Sequence, residues 1–251
     1  MSSFISIDRV LTKLDSYFAA NDYVGAQKHL EYWLEEAVSV QDHKSELTLC
    51  NELIGLSRKI GNKEQTFLYM ERALNLLKSL DIENSIGAAT TYINVATAYK
   101  AFGEAERSLH LFEKALEIYE KELFSDDSRL GGLYNNFALS LVDTKKFSEA
   151  YQYYNKALSV MGRVQCGELE SAITYLNIAS AYEIEKGLLD ADEDIGECLQ
   201  KSEELLDLHK DSTDGYYAFV CEKCASVFGY YGRFVYEKEL LERAEKIYER
   251  S

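Results

Sequence analysis

Apolar residues recur at i, i+3, i+4 and i+7, as at Tyr92, Val95, Ala96 and Tyr99, the spacing that gathers them on one face of an α-helix. No long run of Val, Ile or Thr alternates with polar residues as a half-buried strand would. The helical segments come in pairs. Short turn signals divide each pair, at Asn21–Asp22, Gly61–Asn62, Gly103, Lys145–Lys146 and Gly232. Longer links such as FSDDS (124–128) and HKDSTDG (209–215) separate the pairs, and their Ser and Asp residues are expected to cap helix N-termini. The chain contains no proline, the residue that breaks helix interiors.

The pairs repeat. A small residue that lets two helices approach recurs in the first helix at Ala96, Ala138, Ala179 and Ala225, with Leu14 and Ile54 in the same place earlier. A second small residue marks the second helix at Ala73, Ala115, Ala157, Ser202 and Ala244, with Trp33 as the exception in copy one. The steps from Trp33 to Ala244 are 40, 42, 42, 45 and 42 residues. Large side chains such as Phe112, Tyr154 and Leu241 are expected to fill the gap to the next pair. One pair cannot bury its apolar face alone, so the pairs must stack. The expected architecture is a single all-α domain over 1–251, with copies at about 4–42, 43–83, 84–125, 126–167, 168–212 and 213–251.

Tyr99, Gly103, Phe112 and Ala115 in copy three, and Phe147, Ala150, Tyr154 and Ala157 in copy four, resemble the tetratricopeptide repeat. That repeat usually runs 34 residues, so these copies are long and lack its closing proline. Copies one and two are degenerate, with Trp33 and Thr66 at positions usually small. The motifs YINVA (92–96), YNNFA (134–138) and YLNIA (175–179) resemble the long-repeat subclass found in kinesin light chains. The resemblance implies a right-handed α-solenoid, a superhelix of about six helix-turn-helix pairs, whose first helices line a groove that binds a peptide or partner protein.

In that register Asn94, Asn136 and Asn177 stand two residues before the small alanine of three successive first helices. The resemblance implies a ladder of amides along the groove. An amide both donates and accepts, so it can pair with the backbone of an extended peptide; the alternative is that these amides pack the repeats together or face water. The same register places Asn135, Thr97, Lys100, Ser180, Phe219, Lys223 and Tyr230 on the groove, along with Asn51, Arg58, Thr90, Asp143 and Glu183. The family's clamp for C-terminal carboxylates is not expected, because Ile93 or Asn135, and Ile173 or Phe219, occupy the slots that should hold lysine, and only Asn177 and Lys223 fit.

Charge narrows the partners. The chain carries a net charge of −16, which repels nucleic acid and anionic membrane surfaces. No run of 18 apolar residues is present to span a membrane, and the start MSSFISIDRV is unlike a signal peptide. Five cysteines without framework spacing fit a reducing, cytoplasmic setting. Copy six is rich in aromatics: Tyr216, Tyr217, Phe219, Phe228, Tyr230, Tyr231, Phe234 and Tyr236. About half are expected in the core and the rest at a contact surface. The charged final helix reads as its own cap, so the protein is expected as a monomer, with a homodimer through this end as the alternative.

Candidate chemistry is sparse. Cys221 and Cys224 share a helix face, but a structural zinc site needs four ligands and no second pair accompanies them; they read as core. The histidines His29, His43, His110 and His209 are scattered over different copies, and no phosphate loop or nucleophile setting occurs. The acidic stretch GLLDADEDIGECLQK (187–201) approaches a calcium loop, but counting from Asp190 the sixth residue is Ile195 and the twelfth is Lys201, where Gly and Glu belong. It reads instead as a turn four residues longer than those of copies three and four, whose acids cap the next helix. The expected function is a non-catalytic scaffold without cofactor or metal, binding a peptide or protein in its groove. The alternative is a stand-alone, peptide-sensing regulator of a partner protein; with copy one beginning near residue 4, no room is expected for an appended output domain.

Overall fold

The computed structural model describes residues 5–249. They form twelve α-helices and, among the described residues, no strand. Residues 1–122 and 123–251 make two compact units. The first contains α1 (Ile7–Ala19), α2 (Tyr23–Ser39), α3 (His43–Lys59), α4 (Lys63–Ser79), α5 (Ile86–Ala101) and α6 (Ala105–Glu122). The second contains α7 (Ser128–Asp143), α8 (Phe147–Met161), α9 (Glu168–Lys186), α10 (Asp192–Asp207), α11 (Gly215–Tyr230) and α12 (Phe234–Tyr248). Odd and even helices pair as hairpins, and first helices neighbour one another: α3 and α5 in the first unit, α7 and α9, then α9 and α11, in the second.

Five of the six hairpin turns share one backbone solution. Asn21, Gly61, Gly103, Lys145 and Gly232 all have φ between 53° and 79°. Each follows a helix end and donates its N–H three residues back, while the next residue donates five residues back, as in Gly103 to Lys100 O and Glu104 to Tyr99 O. This double bond pattern is the Schellman motif, which satisfies the last carbonyls of a helix and needs one left-handed residue. The same pattern closes α2 at Gln41 and α4 at Asp81. After the turns at Asn21 and Gly61 the next helix starts on a capping side chain, whereas Lys146 and Arg233, before α8 and α12, make no such bond. Asp22 accepts from Gly25 N–H at 2.8 Å and Asn62 from Gln65 N–H at 3.2 Å. Across the longer links, Asp127 and Asp214 accept from Arg129 and Tyr216 N–H, as the link composition leads one to expect.

The small residues at Ala96, Ala138, Ala179 and Ala225, and at Ala73, Ala115, Ala157, Ser202 and Ala244, are all buried, and Phe112 and Tyr154 fill the core beside them. Leu241 does not. It is 46% exposed, because α12 is the last helix and no following pair lies against it among the described residues; Leu240, one position earlier, is the buried leucine. Trp33 is half-buried and edge-on to Tyr32, while Ala26 and Ala37 provide the close contacts of α2. Glu46 is a buried charge on α3, paired with Arg72 of α4 at 2.7 Å and with His43 at 3.1 Å.

The acidic stretch of copy five departs from expectation. Two of its four extra residues lengthen α9 and two lengthen the turn, which runs from Gly187 to Ala191. None of its carboxylates caps α10. The N-cap is Ala191, which has no side-chain hydrogen bond to offer, and Asp192, Glu193 and Asp194 lie inside the first helical turn. The longer turn buries Ala191 at the N-cap place, and the acids on either side point away, Asp194 to Lys186 at 2.5 Å.

Candidate functional site

The first-helix faces carry the expected groove residues, and the two units present them separately. In the first unit the amide of Asn94 on α5 donates to Asn51 Oδ1 on α3 at 2.9 Å. Asn51 in turn spends both its amide hydrogens, on Leu47 O and on Thr91 Oγ1, each at 3.0 Å. Asn94 therefore keeps one N–H and its carbonyl oxygen uncommitted. Thr97 donates to Ile93 O at 2.7 Å, and Thr90 shares a hydrogen bond with Tyr119 OH. Lys100 is half-buried near the end of α5. Burial raises the pKa of Glu52, reinforced by Asp15, and burial alone lowers that of Arg58. Both belong to α3.

The second unit repeats the amide pair. Asn177 of α9 donates to Asn135 Oδ1 of α7 at 3.0 Å. Asn136 is half-exposed next to it. Both α7 asparagines line a pocket of about 580 Å³ with Arg129, Cys166, Glu170, Tyr216 and Lys223. From α11 the pocket is lined by Tyr216 and Lys223; Tyr216 stacks with Phe219 at 6.3 Å, and Tyr230, outside the pocket, is 68% exposed. Lys223 is exposed between them and Ser180 half-exposed on α9. The acids of this face are capped by tyrosines. Tyr216 OH donates to Glu170, and Glu183 accepts from both Tyr230 OH and Tyr231 OH, at 2.6 and 2.7 Å. Burial, and then the bond to the carboxylate, raises the pKa of Tyr216 and Tyr231, while the bond to Glu183 raises that of Tyr230. The aromatic cluster of copy six thus divides: Tyr217, Phe228 and Tyr236 are core, while Tyr216, Phe219, Tyr230 and Phe234 are exposed.

The pairing of Asn94 with Asn51, and of Asn177 with Asn135, is what sequence alignment by columns passes over. The partner stands in the neighbouring column of the preceding copy, three residues before the packing position rather than two. An asparagine in that column followed by one in the next copy's ladder column is the signal, and it occurs in both units. The amides thus do pack repeat against repeat, and they retain capacity for a ligand.

Cys50, Cys198, Cys221 and Cys224 are buried and Cys166 is exposed. Burial pushes the thiols of Cys50 and Cys224 up to about 12 and that of Cys198 to about 11. Among the described residues no group of three or more His, Cys, Asp or Glu side chains is placed to hold a metal ion, and no helix is long and apolar enough to cross a membrane.

Stacked helical hairpins closed by a shared Schellman turn, with amide-bearing first helices, define an α-helical repeat protein. A tetratricopeptide-repeat family model matches residues 45–121, and in fold the chain resembles tetratricopeptide-repeat proteins of the kinesin light chain kind. The nearly identical, kinesin-light-chain-type repeats of Podosopora anserina align at 16% identity over 80% of this chain and 94% of theirs, with a TM-score of 0.55. BtubC (BKLC) from P. vanneervenii aligns at 17% identity over 97% of this chain and 91% of its own, with a TM-score of 0.57. A Rap protein complexed with Competence and Sporulation Factor aligns at 13% identity over 98% of this chain, with a TM-score of 0.59; this chain spans 65% of that one. No curated protein matches the sequence.

Proposed function

We propose that this chain is a non-catalytic scaffold of the cytoplasm whose first-helix faces bind an extended peptide or a segment of a partner protein. The observation that carries the proposal is the half-used amide pair in each unit. Asn94 and Asn177 each offer one free N–H beside a free carbonyl oxygen, the donor–acceptor combination that an extended backbone requires. The fold likeness to a Rap protein held in complex with Competence and Sporulation Factor supports the same reading. Asn135, Asn136, Thr97, Lys100, Ser180, Phe219, Lys223 and Tyr230 complete the proposed contact set, with the aromatic α11 wall supplying apolar area and Lys223 a cation.

The test is affinity capture from native lysate with the wild type and with the Asn94→Ala/Asn136→Ala/Asn177→Ala variant, captured partners being identified by mass spectrometry. Far-UV circular dichroism shows that the variant keeps its helices. The variant is expected to lose the captured partner; equal recovery by both proteins overturns the amide assignment.

A further inference from the structure

Copy five closes differently from its neighbours, and the difference leaves apolar surface in water. The other hairpins whose turns carry Asn21, Gly61, Gly103, Lys145 or Gly232 close through a single left-handed residue. Between α9 and α10 the chain instead makes an extra loop over 187–191. Every residue from 184 to 190 is exposed. Leu189 is 91% exposed, the highest value of any large apolar side chain described, and Leu188 is 51% exposed. The loop is nevertheless well held. Ala191 is buried and donates to Gly187 O at 3.1 Å, and Ile195 donates to Ala191 O at 2.8 Å. Backbone bonds and one buried alanine anchor it, while Leu189 lies almost wholly in solvent and Leu188 half so.

The surrounding charge is predominantly acidic, and the cation Lys186 is engaged by Asp194. Glu185 accepts from Tyr151 OH. Asp190, Asp192 and Glu193 are exposed, and among the described residues they have no hydrogen bond or ion pair. They do not cap α10 either, since its N-cap is Ala191.

We propose that this tip is a docking knob for a partner protein that offers an apolar cup rimmed by lysine or arginine. Leu188 and Leu189 supply the apolar contact, and the three unpaired carboxylates set the sign of the partner's charge. A second copy of this chain is a poor occupant, because it carries −16 overall and has no basic run longer than two residues. The knob stands on a hairpin turn, so its role is independent of peptide binding by the first-helix faces.

The experiment uses the full, isotope-labelled chain and a synthetic amphipathic helix of leucine and lysine as the probe, read by backbone amide shifts. Three controls accompany it: a leucine–glutamate helix, a lysine–serine peptide, and a variant with Glu242→Gln, Glu245→Gln and Glu249→Gln, which removes the same charge from α12 and its end. The leucine–lysine helix is expected to shift the amides of residues 184–193. Leu188→Ser/Leu189→Ser and Asp190→Asn/Asp192→Asn/Glu193→Gln are each expected to weaken it by about tenfold, with the α12 variant binding as the wild type. All these positions are exposed, so the variants keep the fold. No binding, shifts spread over other acidic faces, or tip variants that bind as tightly as the wild type overturn the proposal.

Discussion

At the scale of single residues, the core mixes well-used and poorly used groups. Tyr154 is fully buried, yet its hydroxyl has no hydrogen-bond partner. An unsatisfied buried hydroxyl costs about 1–3 kcal/mol, so Tyr154→Phe is expected to leave stability unchanged or raise it by up to about 1 kcal/mol in urea unfolding. Removing Phe112, which is equally buried, has the opposite effect: Phe112→Ala should cost about 3–5 kcal/mol, whereas Leu241→Ala, at an exposed site, should change it by less than about 0.5 kcal/mol. Glu52 gives a pH signature. Its folded pKa is raised, chiefly by burial and then by Asp15, so folding favours its protonated form. That contribution is present below the unfolded pKa and is lost as pH rises through the folded one. Glu52→Gln should therefore raise the melting temperature by about 1–3 °C near pH 7, and the gain should disappear near pH 3.

At the scale of helices and turns, the left-handed cap position is the sharpest determinant. Gly103 has a φ of 77° and Lys145 one of 61°. A side chain at such a position is strained by about 1 kcal/mol and glycine is not. Gly103→Ala should lower stability by about 1 kcal/mol, and Lys145→Gly should raise it by about 0.5–1 kcal/mol, both measured by chemical denaturation. These turns were legible in the sequence because Gly, Asn and the polar pair at 145–146 interrupt apolar periodicity locally. Gln41, Asp81 and Cys166 adopt the same conformation without such a signal, since the surrounding helices impose it on ordinary residues. The helix pairs and the burial of their small residues followed from the 42-residue spacing. The amide pairs did not, because they join residues 42 or 43 apart in the chain and depend on how one first helix is set against the next. The acids of copy five lie in the first turn of α10, where they complement its dipole, but do not cap it, for a related reason: composition marks a helix start, while backbone geometry places Ala191 at the cap.

At the scale of the whole chain, charge dominates. Forty-three acidic residues face twenty-seven basic ones, and such an excess repels itself in the compact state. Because exposed charges about a Debye length apart are screened by salt, raising sodium chloride from low ionic strength to about 0.5 M should raise the melting temperature by about 3 °C. A scanning calorimetry series decides this, and a flat or falling trend would show that paired charges outweigh the surplus.

The distribution of thiols has a practical consequence. Four of the five cysteines are buried, and the exposed one, Cys166, lines the pocket that also holds Asn135, Asn136 and Lys223. A maleimide dye or nitroxide offered to the native, unmutated chain therefore attaches first at the rim of the proposed peptide face. The wild-type protein comes with its own reporter: a labelled Cys166 should change brightness or mobility when a ligand enters, and a library of peptides can be screened against it without engineering a single residue.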